Sequence, residues 1–110
     1  MKQINSAQFE SEVLGAKGPV LVDFFTEDCN PCRALGPILQ EWELESKNGV
    51  KVVKVDAVAD QALAVSYNVG AVPALFLFVN GNCVAQTVGL KSKRNLTQWV
   101  EDALRSPIAR

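Results

Sequence analysis

Val20-Leu-Val-Asp-Phe-Phe-Thr-Glu-Asp-Cys-Asn-Pro-Cys32 is the stretch that decides the fold of this chain. Its first six residues, Val20 to Phe25, form a nearly continuous apolar run, which is typical of a central strand covered on both faces. A helix is predicted from residue 29 to residue 46, because an apolar stripe follows at helical spacing: Leu35, Ile38, Leu39 and Trp42. A buried strand that leads directly into a helix indicates an α/β domain with Cys29-Asn30-Pro31-Cys32 at the junction.

Strand and helix patterns also alternate on either side of this segment. Towards the N-terminus, Asn5 or Ser6 is expected to cap a first helix, which ends between Gly15 and Pro19. Three apolar residues are predicted to share one face of this helix: Phe9, Val13 and Leu14.

The C-terminal half is predicted to hold a strand, a short helix, a hairpin and a closing helix. Val50 to Val55 has the composition of a buried strand, and Asp60 is expected to cap the short helix. Ala74 to Val79 and Asn82 to Val88 flank Asn80-Gly81, a dipeptide that favours a two-residue hairpin turn because both positions tolerate positive φ. Ser92 is expected to cap the closing helix, whose core stripe is Leu96, Trp99, Val100, Ala103 and Leu104.

Length and charge limit the possible functions. A chain of 110 residues has the size of one domain, so a single domain over residues 1–110 is expected. Eleven basic and 12 acidic residues give a net charge of −1, which argues against a nucleic-acid or membrane-surface partner. Residues 1–9 lack a secretory-signal pattern and no apolar run is long enough to span a bilayer, so we expect a soluble, cytoplasmic protein.

The cysteine pair carries the most specific chemical signal. Cys29 is expected at a helix start, where unpaired N–H groups and the helix dipole lower a thiol pKa, so it is the candidate attacking sulfur. Cys32, one turn further along, is placed to resolve a mixed disulfide between Cys29 and a client protein. Pro31 stiffens the loop between them. The chain has no histidine, which excludes Cys/His hydrolysis.

The plainer alternatives for the cysteines are a structural disulfide or half of a zinc site. A zinc site needs about four ligands, and only Cys83 remains to join the pair. Redox chemistry is therefore favoured, and neither a metal nor a bound cofactor is expected. Cys83 itself is predicted to be a half-buried strand residue rather than a redox switch.

Three other positions bear on this chemistry. Asp23 lies within the apolar run, where desolvation raises a carboxyl pKa, so it is a candidate proton acceptor for Cys32; the alternative is a buried acid with no catalytic part. Lys54 is a candidate charge partner for Asp23, or else a solvated sheet-edge lysine. Val72-Pro73 precedes a strand, where a cis peptide would be functionally placed; the alternative is a trans proline at the start of the strand. The Val72 backbone is then available to pair with an extended client.

Taken together, these segments resemble the thioredoxin family over almost the whole chain. The resemblance rests on their order and spacing: Val20 to Phe25, Cys29 to Arg33 with Pro37, Val52 to Asp56, Tyr67 to Pro73, Phe76 to Phe78, Asn80-Gly81 and Val88-Gly89. It implies a thioredoxin fold, an α/β architecture with a central mixed five-stranded β-sheet flanked by four α-helices.

The resemblance also implies roles for individual residues. Cys29 is then the nucleophile, Cys32 the resolving cysteine, Asp23 the buried acid, Lys54 its neighbour and Pro73 a cis-proline. The client-binding surface would be formed by residues beside the motif and on the facing loops: Asp28, Asn30, Pro31, Val72, Pro73 and Gly89. The implied partners are an NADPH-dependent thioredoxin reductase and disulfide-containing client proteins, and a monomer is expected.

Two positions depart from the family pattern. Asp28 stands where thioredoxins usually have tryptophan, and Asn30 stands where the motif usually has glycine. We hypothesise that Asp28, beside Glu27, opposes the Cys29 thiolate and removes a flat apolar contact for clients. These departures keep a dedicated donor to one partner enzyme open as a function, beside a general disulfide reductase. The remaining alternative is a thioredoxin-fold binding or chaperone module in which the cysteines are secondary.

Overall fold

A five-stranded mixed sheet forms the centre of this computed structural model, which describes residues 1–106. The strands are β1 (Lys2–Gln3), β2 (Val20–Phe25), β3 (Lys51–Asp56), β4 (Ala74–Val79) and β5 (Asn82–Val88). Their order in the sheet is β1-β3-β2-β4-β5. Strands β1, β3 and β2 are parallel to one another, β4 is antiparallel to β2, and β5 is antiparallel to β4. The predicted bounds of β2, β4 and β5 are confirmed, and β3 lies one residue later than predicted.

Four α-helices flank the sheet in the described part of the chain: α1 (Ser6–Phe9), α2 (Asn30–Glu45), α3 (Gln61–Ser66) and α4 (Lys93–Arg105). The side chain of Asn5 caps α1 by accepting from the backbone N–H of Gln8, and Ser92 caps α4 in the same way. Both caps, and the central helix after the cysteine motif, are confirmed. Asn80 and Gly81 have positive φ, 52° and 81°, as the predicted hairpin turn requires.

The first helix differs from the prediction in its second half. Glu10–Leu14 forms a π-helical turn after α1, closed by a hydrogen bond from the Gly15 N–H to the Glu10 carbonyl oxygen at 2.7 Å. Phe9 and Val13 are buried, but Leu14 is 36% exposed, so the prediction that it shares their face was wrong. The wider π turn changes the angular spacing on which a helical pattern depends, and Leu14 is left at the surface.

Asp60 occupies the predicted N-cap position of α3 but does not cap the helix with its side chain. Its Oδ1 accepts hydrogen bonds from the backbone N–H and the hydroxyl of Ser6, at 2.9 and 2.8 Å. The carboxylate therefore satisfies a free N–H group at the start of α1 instead, a contact between residues 54 positions apart that local sequence does not reveal.

The core lies on both faces of the sheet. On one face, Phe9 and Val13 pack with alternate strand residues such as Val22, Phe24 and Phe78. On the other face, α2 and α4 cover the intervening strand residues with an apolar set: Leu35, Leu39, Trp42, Leu96, Val100 and Ala103. Trp42 is 3% exposed and Trp99 is half-buried against the same cluster, so both belong to the core as predicted.

Cys83 is exposed, contrary to the predicted half-buried position. The pairing of β4 with β5 contains a one-residue bulge. Leu77 pairs with Ala85 and Phe78 pairs with Cys83, so Val84 has no partner on β4. Such a bulge interrupts the alternation of faces along a strand.

Within residues 1–106 no helix combines the length and the apolar composition needed to cross a membrane.

Candidate active site

Cys29 is the N-cap residue of α2. Its backbone is extended, with φ −91° and ψ 112°, and its Sγ accepts a hydrogen bond from the backbone N–H of Cys32 at 3.1 Å. The free N–H groups and the positive dipole end of α2 therefore lie at this sulfur, and both favour a thiolate over a thiol in the reduced protein.

The two cysteines of the motif are joined by a disulfide, with their Cα atoms 5.2 Å apart. Cys29 is half-buried, whereas Cys32 is buried and 6% exposed. Asp28, Asn30 and Pro31 are exposed around them. An approaching molecule therefore meets Cys29 before Cys32.

The loop that carries Val72 and Pro73 faces the disulfide. The Val72–Pro73 peptide bond is cis, as predicted, and the Val72 carbonyl oxygen lies 3.8 Å from Cys29 Sγ. The Gly89 N–H donates to the Pro73 carbonyl oxygen at 2.9 Å, and Gly89 has φ +106°, a backbone conformation suited to glycine. The fold thus brings the three separate segments with predicted client-binding residues to one place, beside the sulfur of Cys29.

Asp23 lies beneath the motif on β2. Because side chains alternate along a strand, Asp23 points to the same face as Leu21, the face that α2 covers. It is 2% exposed, and its Oδ1 has no hydrogen-bond partner among the described residues. Burial raises the pKa of the Asp23 carboxyl to about 7, and the positive charge of Lys54 opposes this rise. The carboxyl can therefore exchange a proton near neutral pH.

Lys54 is the register partner of Asp23 on the adjacent parallel strand, β3. Its Nζ lies 5.0 Å from the centre of the Phe25 ring, within the range of a cation–π contact. Because β3 runs between β1 and β2, the sheet-edge alternative for Lys54 was wrong. Its charge does act on Asp23, in the direction of stabilising the carboxylate.

A cleft of about 420 Å³ is shared by the buried Asp23, the half-buried Lys54 and the second cysteine. It is lined by Asp23, Lys54 and Cys32, together with polar and charged side chains of the surrounding loop and of α2. Such a cleft has room for water between the carboxyl and the thiol. Asp23 and Cys32 thus line the same cleft.

Arg33 is a feature of the site to which sequence reasoning assigned no role. Its Nε donates to the Glu27 carbonyl oxygen at 2.9 Å, its backbone N–H donates to the Cys29 carbonyl oxygen at 3.1 Å, and its Nη1 lies 3.5 Å from Asn30 Oδ1. Helical side chains lean towards the N-terminus of their helix, and this was the one available signal for such a contact.

The comparisons with known proteins agree with this geometry. The thioredoxin family model matches residues 1–102. Thioredoxin C-2 of Corynebacterium nephridii is 42% identical over 93 residues, which cover 84% of this chain and 86% of that protein. The thioredoxin of Rhodospirillum rubrum is 38% identical over 101 residues, 92% of this chain and 97% of that protein. The chain therefore belongs to the thioredoxin family and is a thiol–disulfide oxidoreductase, a protein-disulfide reductase that serves as a redox carrier.

Proposed function

We propose that the chain reduces protein disulfides with Cys29 as the attacking sulfur and Cys32 as the resolving sulfur. The observation that carries this assignment is the position of Cys29 Sγ, at the N-terminus of α2 and nearer to solvent than the buried Cys32. A thiolate is the nucleophile in disulfide exchange, so the sulfur with the better-stabilised thiolate and the freer access attacks first.

The reaction then proceeds in two exchanges. The Cys29 thiolate attacks one sulfur of the client disulfide, which forms a mixed disulfide and releases the other client sulfur as a thiolate. The Cys32 thiolate next attacks the Cys29 sulfur, which breaks the mixed disulfide, forms the Cys29–Cys32 bond and releases the second client thiolate. Two electrons pass to the client, whose two thiolates each take up a proton.

Asp23 is proposed as the group that accepts the Cys32 proton before the second exchange. Its pKa of about 7, raised by burial, and the cleft that it shares with Cys32 support this role. Lys54 is proposed as the residue that stabilises the resulting carboxylate, because it is the register partner of Asp23 and its charge lowers the carboxyl pKa. The alternative, that Asp23 is a buried acid without a catalytic part, predicts no effect on the resolving step.

Clients are proposed to bind in extended form across Val72, Pro73 and Gly89. The Val72 carbonyl oxygen near Cys29 Sγ supports this arrangement, since a strand-like client segment paired with that backbone would lie beside the sulfur. Asn30 and Pro31 follow Cys29 directly in the chain, are exposed, and would complete the surface. Asp28 is proposed to weaken the Cys29 thiolate and to narrow the range of clients, because its exposed carboxylate is next to Cys29 in the chain.

The biological setting follows from the same family membership. We propose that an NADPH-dependent thioredoxin reductase returns the Cys29–Cys32 disulfide to the dithiol, and that the protein works in the cytoplasm as a monomeric single domain over residues 1–110. The curated relatives, which are single thioredoxins matched over most of their length, support the single-domain assignment.

Insulin-disulfide reduction by dithiothreitol, with and without the protein, tests the central assignment. Cys29→Ser is expected to abolish the acceleration, because the attacking sulfur is lost. Cys83→Ser is the matched control and is expected to keep it, since Cys83 is exposed on β5 outside the site. Acceleration that survives in Cys29→Ser would overturn the proposal.

A further inference from the structure

We propose that Arg33 is a positioning residue for the attack on client disulfides: it ties the segment 27–30, which carries the nucleophile, to the first turn of α2. This inference rests on the proposed role of Cys29. It also supplies a structural reason for Asn30, one of the two positions at which the motif departs from the family pattern.

The first observation is the set of groups that Arg33 holds. Its side-chain Nε donates to the Glu27 carbonyl oxygen at 2.9 Å. The 3.1 Å bond from its backbone N–H to the Cys29 carbonyl oxygen is the first helical bond of α2 and does not depend on the side chain. The loop has one further backbone hydrogen bond of its own, from the Cys29 N–H to the Thr26 carbonyl oxygen at 3.3 Å. The Arg33 side chain therefore fixes the point at which the loop turns towards the helix.

The second observation is the contact with Asn30. Arginine carries only donors, so the Asn30 amide must turn its oxygen towards Arg33 Nη1, at 3.5 Å, and its NH₂ group away from it. Asn30 is exposed at the first position of α2. Glycine at this position would remove that acceptor, although at 3.5 Å the contact is longer than an ordinary hydrogen bond and is secondary to the bond with Glu27.

The third observation concerns charge. Glu27 and Asp28 are exposed acidic residues directly before Cys29, and Arg33 brings a permanent positive charge to the same loop. The other ionisable groups around the motif are Asp23 and Lys54, which line the cleft with Cys32, and Lys91, which donates to the Val88 carbonyl oxygen next to Gly89. If the two carboxylates oppose a Cys29 thiolate, as proposed above for Asp28, the charge of Arg33 would partly offset them.

Two variants separate the charge of Arg33 from its hydrogen bonds. Arg33→Gln removes the charge and the guanidinium hydrogen bonds, whereas Arg33→Lys keeps the charge but loses the planar guanidinium group. The matched control is Arg94→Gln, an exposed arginine on α4 that makes no hydrogen bond to residues 26–33 in the described chain. The measurements are the pH profile of Cys29 alkylation in the reduced full-length protein, followed by mass spectrometry, and kcat/KM with a disulfide-bonded protein substrate.

Arg33→Gln is expected to slow Cys29 alkylation at pH 7 about two- to fivefold, through a rise in the pKa of the Cys29 thiol. Arg33→Lys is expected to show the same pH profile of Cys29 alkylation as the unmodified protein. Arg33→Lys is expected to lose about fivefold in kcat/KM, the equivalent of one net hydrogen bond, and Arg33→Gln is expected to lose more because it also lacks the charge. Asn30→Gly, which leaves the charge in place, is expected to show a smaller loss in kcat/KM and a profile like that of the unmodified protein.

Two results would overturn the proposal: values for Arg33→Gln equal to those for Arg94→Gln, or full recovery of kcat/KM in Arg33→Lys, which would leave the charge alone as the cause. Thermal unfolding of each variant verifies that the fold is retained. An unreactive Cys29 in the unmodified protein would instead contradict the proposed function, so the two failures are distinguishable.

Discussion

The sulfur of Cys29 lies 3.8 Å from the carbonyl oxygen of Val72, although the two residues are 43 positions apart in the chain. The hairpin strand β4, which follows Pro73, pairs with β2, and β2 leads into the motif, so the sheet itself brings these residues together. In the mechanism that we propose, a client segment that pairs with the Val72 backbone would be delivered to the sulfur. The position of Cys29, and not the motif alone, would then make it a specific nucleophile.

Cys32→Ser is expected to trap the mixed disulfide between Cys29 and a client. The serine hydroxyl does not resolve the bond, so the first exchange takes place and the second does not. Non-reducing electrophoresis after incubation with a disulfide-bonded client measures the trapped species. The double variant Cys29→Ser/Cys32→Ser should trap nothing, and a covalent product of equal yield in that variant would contradict the assignment.

Asp23→Asn is expected to stabilise the protein at pH 8. Burial raises the pKa of Asp23 to about 7 in the folded protein from the 3.8 of an ordinary aspartate, so the folded state is penalised progressively as the pH rises from about 4 to 7, and constantly above that. Removal of the carboxyl should raise the free energy of unfolding by about 2 to 4 kcal/mol at pH 8. Urea unfolding of the oxidised protein at pH 4 and pH 8 measures this difference; a gain that is the same at both pH values would contradict the account.

Asp28→Trp is expected to lower the pKa of the Cys29 thiol, because it removes a carboxylate next to the thiolate. For an exposed charge the effect is about 0.2 to 0.7 pKa unit. Titration of thiolate absorbance in the reduced protein measures it. Asp28→Asn, which removes the charge without adding an aromatic ring, should give a similar shift, whereas an unchanged or raised pKa in Asp28→Trp would rule the hypothesis out.

Gly81→Ala is expected to destabilise the fold by about 1 to 3 kcal/mol. Gly81 has φ +81°, and a Cβ added there would lie 2.9 Å from the carbonyl oxygen of Leu14, a backbone atom that has little freedom to move. Gly36→Ala is the matched control: Gly36 lies inside α2 with no atom within 4 Å of an added Cβ, so alanine should stabilise by about 0.5 to 1 kcal/mol. Equal effects of the two substitutions on urea unfolding would show that the hairpin tip is not packed as described.

Local patterns were sufficient for most of the fold. The apolar run before the motif, the Asn80-Gly81 turn and the caps at Asn5 and Ser92 each depend on neighbouring residues, and each is confirmed. The errors arise where a local pattern is overridden by geometry. The π turn leaves Leu14 at the surface, and Cys83 is exposed beside the bulge at Val84.

The residues of the candidate site could be predicted from the sequence where the residue type alone indicates a chemical role. The cysteine pair, Asp23 in an apolar strand and Val72-Pro73 stand out by residue type. Contacts between distant segments cannot be recognised from residue type. Asp60, for example, binds Ser6 instead of capping α3 as predicted. The short-range bond of Arg33 to the Glu27 carbonyl oxygen was missed for a different reason: an exposed arginine in a first turn is common, and only the loop geometry reveals its partner.

The central claim is that Cys29 is activated and accessible while Cys32 is shielded behind it. Alkylation of the folded, reduced protein with iodoacetamide at pH 7, resolved by mass spectrometry for each cysteine, tests it directly. Cys29 is expected to react first, ahead of exposed Cys83, and Cys32 is expected to react last because it is 6% exposed. Alkylation of Cys29 no faster than that of Cys83, with Cys32 modified at the same rate, would contradict the account.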